Sequence, residues 1–516
     1  MEIEFIPLDY ECFDYQNKNY MKIFGKIFGD KKVCAIDNCD IYLWVILKRG
    51  VGDKKIKEIE DKLKKIKLGE DKRDIKVIKT EVHYKKFLGQ DVKAIKIFVE
   101  NFKDISKIVE KINKIGIHEI DKIRGTDIPH ITRYIIEKKL VPLTWYNVKC
   151  ENLNEYSFDG ISKSLDVDLC VKINKINRIE KYDKEKVFVH KILAFDIESD
   201  EFEVGKGKIL MISLVSNNFK KVLTWKKCSR FPDFVECFKD EKEMIEAFVN
   251  YFKKIKPDIL TGYFSDNFDL PYLKSRAESN KIKLNLGIDN SNVKFTGGMN
   301  PRGKISGIVH VDLFKFIDTA YSQYLQSETL SLNDIAKELL GEGKKQYEFK
   351  QDSKMQEDDW KNFFEYNLQD SVLTYNLFLK LWPDMVEFAK LMQEPLFNIS
   401  RDGMSSNVDN YIIHNLEKYN EIIEMKPIHD IISKRRQREK YEGAFVLQPN
   451  PKLYEDIVMF DFTSYWPSII ATFNLSLSSY LGDKKPKEKN FLEINLEKEK
   501  KKIYFSKRKT FFPQML

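Results

Sequence analysis

The sequence predicts a multidomain chain of α/β and α+β character, and three observations predict it. A run of apolar strands with short turns begins near residue 187 and is followed by amphipathic helices. A strand–turn–helix pattern occupies residues 458–474. The length of 516 residues, with 42% hydrophobic content, supports several cores, and two to four domains are expected.

Residues 1 to about 140 mix strand-like runs with charged helices. IYLWVILK (41–48) is apolar throughout and reads as a buried strand. In the Lys/Glu-rich stretches 53–66 and 103–114, Ile and Leu recur at helical spacing, so their charges read as solvated helix faces. Residues 146–185 are polar and weakly patterned, a connection with one or two small strands. VFVHKILAFDIE then forms a strand ending in acids, followed by strands ILMISLVS (209–216) and VLTWK (222–226). EKEMIEAFVNYFKKI (241–255) is an amphipathic helix, and PDILTGYF (257–264) is a further strand. LNDIAKELLG (332–341) is a helix stopped at Gly341. Residues 358–381 form a long helix with Pro383 close behind it. Residues 384–440 are helical in pattern and lead into the basic KRRQREKYEG. The strand 457–461 turns into a helix begun near Pro467, and the Lys-rich 484–510 reads as a loop.

Lys and Arg number 88 against 80 acids, a net charge of +8 that permits a nucleic-acid partner without arguing for one. Seven scattered cysteines form no CxxC pair, so neither a disulfide framework nor a zinc site is indicated and a reducing cytoplasm is expected. No apolar run reaches the ~20 residues that span a bilayer. The start, MEIEFIPLDYE, lacks the basic-then-apolar pattern of a signal peptide.

The candidate chemistry lies in acids. Asp196 and Glu198 stand two apart on a strand, so both carboxylates share a face. They repel unless a cation lies between them, and Mg²⁺ favours such hard oxygen ligands. A polar closure of the strand is the plain alternative. Asp269, in SDNFDLPYL, taken alone is a helix N-cap with Pro271 in the first turn. Tyr366 and Asp370 lie four apart on one helix face, which alone is an ordinary surface or a core tyrosine. Together they suit two-metal phosphodiester hydrolysis: one metal generates hydroxide, the other stabilises the leaving oxygen, and a tyrosine positions the water. Asp461, in FDFTSYWPSII, alone reads as a strand-ending acid before a turn.

FDIE, the NFD segment and YNLQD resemble the three exonuclease motifs of family B DNA polymerases, in the right order and spacing. The flanking ILMISLV, TWK, EKEMIEAF and GIVHVDLF are similar as well. YKKFLGQ (84–90) and TDIPHITRYIIEKKLVPLTWYNV (126–148) resemble the amino-terminal domain of archaeal members. The resemblance implies a ribonuclease H-like 3′→5′ exonuclease domain. In it Asp196, Glu198, Asp269 and Asp370 bind two Mg²⁺ ions, Mn²⁺ being a substitute, and Tyr366 orients the water. Phe264 and Asn267 would meet the DNA strand. Phe264 stands where the family has an Asn that positions the strand, which implies weaker positioning with metal binding intact.

FDFTSYWPSII resembles the first palm motif, Asp-x-x-Ser-Leu-Tyr-Pro-Ser. By that resemblance Asp461 and Phe462 bind a second pair of Mg²⁺ ions. Phe462, Thr463, Ser464, Tyr465 and Trp466 receive the deoxynucleoside triphosphate. Trp466 replaces the tyrosine that excludes ribose, and Tyr465 replaces Leu. Tyr441 and Gly443, in YEGAF, fall in the segment that binds template. TFFPQML matches the opening of the fingers, while the fingers Lys/Asn/Tyr motif and the second palm motif, Asp-Thr-Asp, are not in the sequence.

The implied division is a mixed-sheet amino-terminal domain with a template role at 1–185 and the exonuclease at 186–382. A helical connection at 383–440 and a partial palm at 441–516 follow. The expected function is the amino-terminal portion of a split, archaeal-type DNA-directed DNA polymerase with proofreading. Its expected partners are single-stranded DNA, primer–template and deoxynucleoside triphosphates. A second chain would carry fingers, the second palm motif and thumb, and through that chain a sliding clamp. The expected location is the cytoplasm, at the nucleoid. A truncated product, a free-standing 3′→5′ exonuclease and a non-catalytic DNA-binding remnant are the alternatives.

Overall fold

The computed structural model describes residues 1–70, 73–179, 190–227, 231–298, 300–344, 355–437, 446–487, 489–496 and 500–516. Two compact units emerge: Met1–Asp40 with His130–His414, and Ile41–Pro129 with Asn415–Leu516. No helix among the described residues is long and apolar enough to cross a membrane.

The first unit is organised by a six-stranded sheet. Its order is Val235–Cys237, Phe219–Thr224, Ile209–Ser216, Ile192–Ser199, Ile259–Gly262, Val309–Asp312. Ile192–Ser199 runs antiparallel to Ile209–Ser216 on one side and parallel to Ile259–Gly262 on the other. The first three strands in chain order are an antiparallel meander and the other three run parallel to the first, a ribonuclease H-like arrangement. Strands Ile259–Gly262 and Val309–Asp312 are buried at every residue, as parallel strands covered on both faces must be.

Helices cover both faces. Glu241–Ile255 starts where the Asp240 side chain accepts from Glu243 N at 2.9 Å. Its Met244, Ile245, Phe248 and Phe252 pack with Leu193, Phe195 and Ile197. On the opposite face lies the 36-residue helix Glu357–Met392. Ser213 Oγ ties it to the sheet through the Asn367 carbonyl at 2.9 Å and Ser371 Oγ at 2.6 Å. This helix passes through Pro383, where the sequence suggested a stop. A proline inside a helix costs ~3 kcal/mol. Here Leu377, Phe378 and Leu381 before it and Met385 and Ala389 after it enter one core, and that burial outweighs the broken bond.

A closed barrel completes the unit, in the order Glu2–Tyr15, Lys18–Ile27, Lys31–Asn38, Leu169–Arg178, Tyr146–Asn152. The stretch read as a connection with one or two small strands supplies two staves of the barrel. Its inward Tyr146, Val148, Cys150, Val171 and Ile173 are buried, while outward Lys, Asn and Glu dilute the apolar pattern.

The second unit holds a five-stranded sheet, Lys67–Glu70, Arg73–Phe87, Gln90–Val99, Ile41–Leu47, Ile120–Arg124. Helices Asp53–Lys64 and Ile105–Ile115 bury their Ile and Leu faces, as the spacing predicted. Two expectations fail in its carboxyl-terminal part. The Lys-rich 484–510 contains a hairpin, Phe491–Leu496 with Lys501–Ser506, pairing Leu492 with Phe505 and Ile494 with Ile503. Alternation there is real but hidden among lysines. Conversely, 457–461 forms no strand: Val458, Met459 and Phe460 are 70%, 91% and 90% exposed. An extended segment becomes a strand only when a neighbour takes up its backbone hydrogen bonds.

Candidate active site

Period-two alternation on Ile192–Ser199 sends Phe195 and Ile197 into the core and half-buried Asp196 and Glu198 to the other face. That face meets the helix Glu357–Met392, which delivers Asp370. Carboxylate oxygens of Asp196, Glu198 and Asp370 all lie within 4.8 Å of one another. Among the described residues this is the one group of three or more potential metal donors. Asp269 opens the helix Asp269–Ser279 but caps nothing with its side chain; Phe268 holds the N-cap position. The Asp269 carboxylate instead accepts from Ile197 N at 3.2 Å, between the two strand acids.

Such crowding has an electrostatic signature. Burial, then repulsion from Asp269, Asp370 and Glu198, lifts Asp196 well above the carboxylate range. Burial and Asp370 push Glu198 up to about 8. Burial pushes Asp269 up to about 7, and Asp370 is raised for the same reason. Asp370 Oδ1 is buried with no hydrogen-bond partner. Clustered hard oxygens that repel one another, one of them unpaired, fit a divalent cation.

Two side chains that the sequence did not single out complete the cluster. Asn367 Nδ2 donates to Asp196 Oδ2 at 2.7 Å. Lys344 Nζ donates to Asp370 Oδ2 at 2.5 Å and to the Tyr366 hydroxyl at 3.1 Å. Burial works against the Lys344 charge, but attraction from Asp370 and Asp196 prevails and raises its pKa. Tyr366 and Asp370 therefore share a face, with one ammonium between them.

The turn that precedes Asp269 is clamped from behind. Asp312 accepts from Phe264 N at 2.9 Å and Asp266 N at 3.0 Å. Asp266 in turn accepts from Arg401 Nε at 2.7 Å, both side chains fully buried. Burial alone would raise Asp266, yet His310 and Arg401 hold it well below the usual range. Phe264 is 43% exposed, and Asn267 is half-buried with its Oδ1 unpartnered.

Asp461 lies on the exposed segment before the helix Tyr465–Phe473, where Phe462 N donates to its Oδ1 at 2.9 Å. Thr463 and Ser464 form the turn, Ser464 at φ 52°, and the helix Tyr465–Phe473 follows. Phe462, Tyr465 and Trp466 are exposed. Tyr441 and Gly443 lie outside the described residues.

A ribonuclease H-like sheet bearing a carboxylate cluster defines a nuclease-type domain. The family model "DNA polymerase family B, exonuclease domain" matches residues 121–333, and "DNA polymerase family B" matches 395–516. The chain belongs to the family B DNA polymerases. It is 30% identical over 476 residues to a DNA polymerase of Pyrococcus horikoshii, covering 91% of this chain and 34% of that protein. It is likewise 30% identical to DNA polymerase 1 of Pyrococcus abyssi, covering 91% and 54%. The family B DNA polymerase from the hyperthermophilic archaeon Pyrobaculum calidifontis shares the fold with a TM-score of 0.72 at 20% identity, over 99% of this chain and 62% of that one. The chain spans about half the length, or less, of these curated relatives.

Proposed function

We propose that this chain removes nucleotides from the 3′ end of single-stranded DNA and supplies the first part of a DNA polymerase palm. The observation that carries the nuclease reading is the carboxylate cluster of Asp196, Glu198 and Asp370 within 4.8 Å, with Asp269 held beside it. Two Mg²⁺ ions held by these four residues, or Mn²⁺ in their place, would neutralise charge on the scissile phosphate and activate water. Asn367 occupies one oxygen of Asp196 and so fixes its orientation. Tyr366, its hydroxyl oxygen held by Lys344, stands beside Asp370 and would orient the attacking water. Lys344 offsets part of the negative charge near the departing strand. Phe264 and Asn267 guide that strand. The 3′→5′ polarity rests on the family.

In the palm, Asp461 and Phe462 would hold the polymerase metals. The backbone from Phe462 to Tyr465 receives the triphosphate, Trp466 lies under its sugar, and Tyr441 and Gly443 contact template. The division at 185, 382 and 440 belongs to the same reading. We assign the strand that would pair with the segment before Asp461 to a second chain. The exposed Val458, Met459 and Phe460 support this, because an unpaired apolar segment invites a partner strand. A free-standing exonuclease is the second reading. It is favoured by the placement of all four acids in Met1–Asp40 with His130–His414, apart from the palm residues.

Digestion of a labelled oligonucleotide with Mg²⁺ tests the nuclease, and Asp196→Ala should slow it by orders of magnitude. Equal digestion by the variant would defeat the assignment. Primer extension should appear only when a chain bearing the fingers and second palm motif is added, and should vanish in Asp461→Ala. Extension by this chain alone argues against a split enzyme, and no extension with any such chain favours the free-standing nuclease.

A further inference from the structure

Resting on the exonuclease reading, we infer that the exposed ring of Phe264 is a stacking platform for the 3′-terminal base of the strand. Phe264 sits at φ 63°, in the left-handed region that a bulky L-residue disfavours and that Gly or Asn accepts readily. The strain is held in place from several sides. Phe264 N donates to Asp312, and its carbonyl accepts from Asn267 N and Phe268 N, each at 3.1 Å. Its ring meets Phe314 in a T-shaped contact at 5.1 Å and 81°, and Phe314 is braced by Tyr263 at 5.9 Å. With that contact made, 43% of the residue remains in water. A strained, exposed aromatic held this firmly beside a reacting centre is where function offsets conformational cost.

Its placement suggests what it contacts. The turn that presents Phe264 delivers Asp269 five residues later; Asp312 holds this turn through Phe264 N and Asp266 N, and Asp269 accepts from the backbone of the strand that carries Asp196 and Glu198. A strand whose terminal phosphate lies on the acid cluster carries its last base toward the same turn. Stacking suits a nuclease indifferent to sequence, because every base has a π-face. Phe264 thus replaces the hydrogen bonding of an amide with stacking. Restoring Asn there weakens strand positioning, the reverse of what the resemblance alone implies.

The test uses the full chain with Mg²⁺ and two oligonucleotides, one ending in an ordinary nucleotide and one in an abasic nucleotide. On the ordinary end, Phe264→Asn and Phe264→Gly should raise KM about 10-fold with little change in kcat, and Phe264→Trp should retain the wild-type KM. On the abasic end all four proteins should behave alike. Melting temperatures of the Asn and Gly variants should be equal to wild type or higher, since both residues tolerate the left-handed backbone. An unchanged KM on the ordinary end, or an equal loss on both ends, overturns the stacking role alone. A wild-type chain that digests neither oligonucleotide overturns the nuclease reading and this inference with it.

Discussion

Replacing Glu198 with Gln should stabilise the metal-free protein, by an amount that grows as pH rises from about 4.5 to about 8. Glu198 is pushed from 4.5 to about 8 by burial and by Asp370. Each pH unit is worth about 1.4 kcal/mol, so the ionised form carries a penalty of up to about 5 kcal/mol. Glu198 keeps part of its surface in water, and screening leaves less than half of this, about 2 kcal/mol. The sign follows from proton binding. Between pH 4.5 and about 8 the folded Glu198 retains a proton that the unfolded one has lost, so stability falls as pH rises through that window. Wild type and Glu198→Gln should therefore melt together near pH 5. At pH 8.5 in chelator the variant should melt about 4 °C higher. Millimolar Mg²⁺ should raise the wild-type midpoint more than the variant's, since the ion binds the folded cluster. Coincident melts at pH 8.5 in chelator, or an equal gain from Mg²⁺, would refute the account of the cluster as an electrostatic strain relieved by a cation.

Two further outcomes follow from the same geometry. Lys344→Met removes the ammonium between Tyr366 and Asp370, so nuclease turnover should fall about 100-fold while half-saturation shifts to lower Mg²⁺; an unchanged metal titration counts against it. Arg401→Met strands a fully buried Asp266 carboxylate and should cost about 3–5 kcal/mol in chemical denaturation, and a loss under about 1 kcal/mol would show that His310 and Lys315 suffice.

What the sequence made legible was local. The helix Glu241–Ile255 could be placed to the residue because its apolar face has one period. Asp196 and Glu198 could be put on one face, and Tyr366 with Asp370 on another, because strand and helix periods alone decide it. What escaped was set by distant partners. Lys344 is one of many lysines, and nothing near it in the chain marks it as the residue that reaches Asp370. The Arg401–Asp266 contact spans 135 residues. The barrel closes by pairing Cys170 with Cys34, which no local pattern announces. Pro383 misled because its neighbours on both sides are buried, and tertiary packing overruled propensity. The segment 457–461 misled in the opposite sense, having strand character but no neighbouring strand among the described residues.

These distant contacts explain how four acids from three separate elements come to one place. Asp269 is bonded to the backbone of the strand that carries Asp196 and Glu198, not to another flexible side chain. Ser213 ties the helix bearing Asp370 to the neighbouring strand. The opposite face of the same strand shares a core with Phe24, Cys34 and Ile36 of the barrel, so the sheet and barrel are one hydrophobic body. The acids are thus located by main-chain bonds and packing that the carboxylates do not themselves supply. Their mutual repulsion is a load that this framework bears, and a cation converts the load into binding energy. A site of this kind separates the roles of its residues: removing a carboxylate relieves the framework while abolishing the chemistry, whereas removing Arg401 weakens the framework and reaches the chemistry only through the turn that carries Asp269.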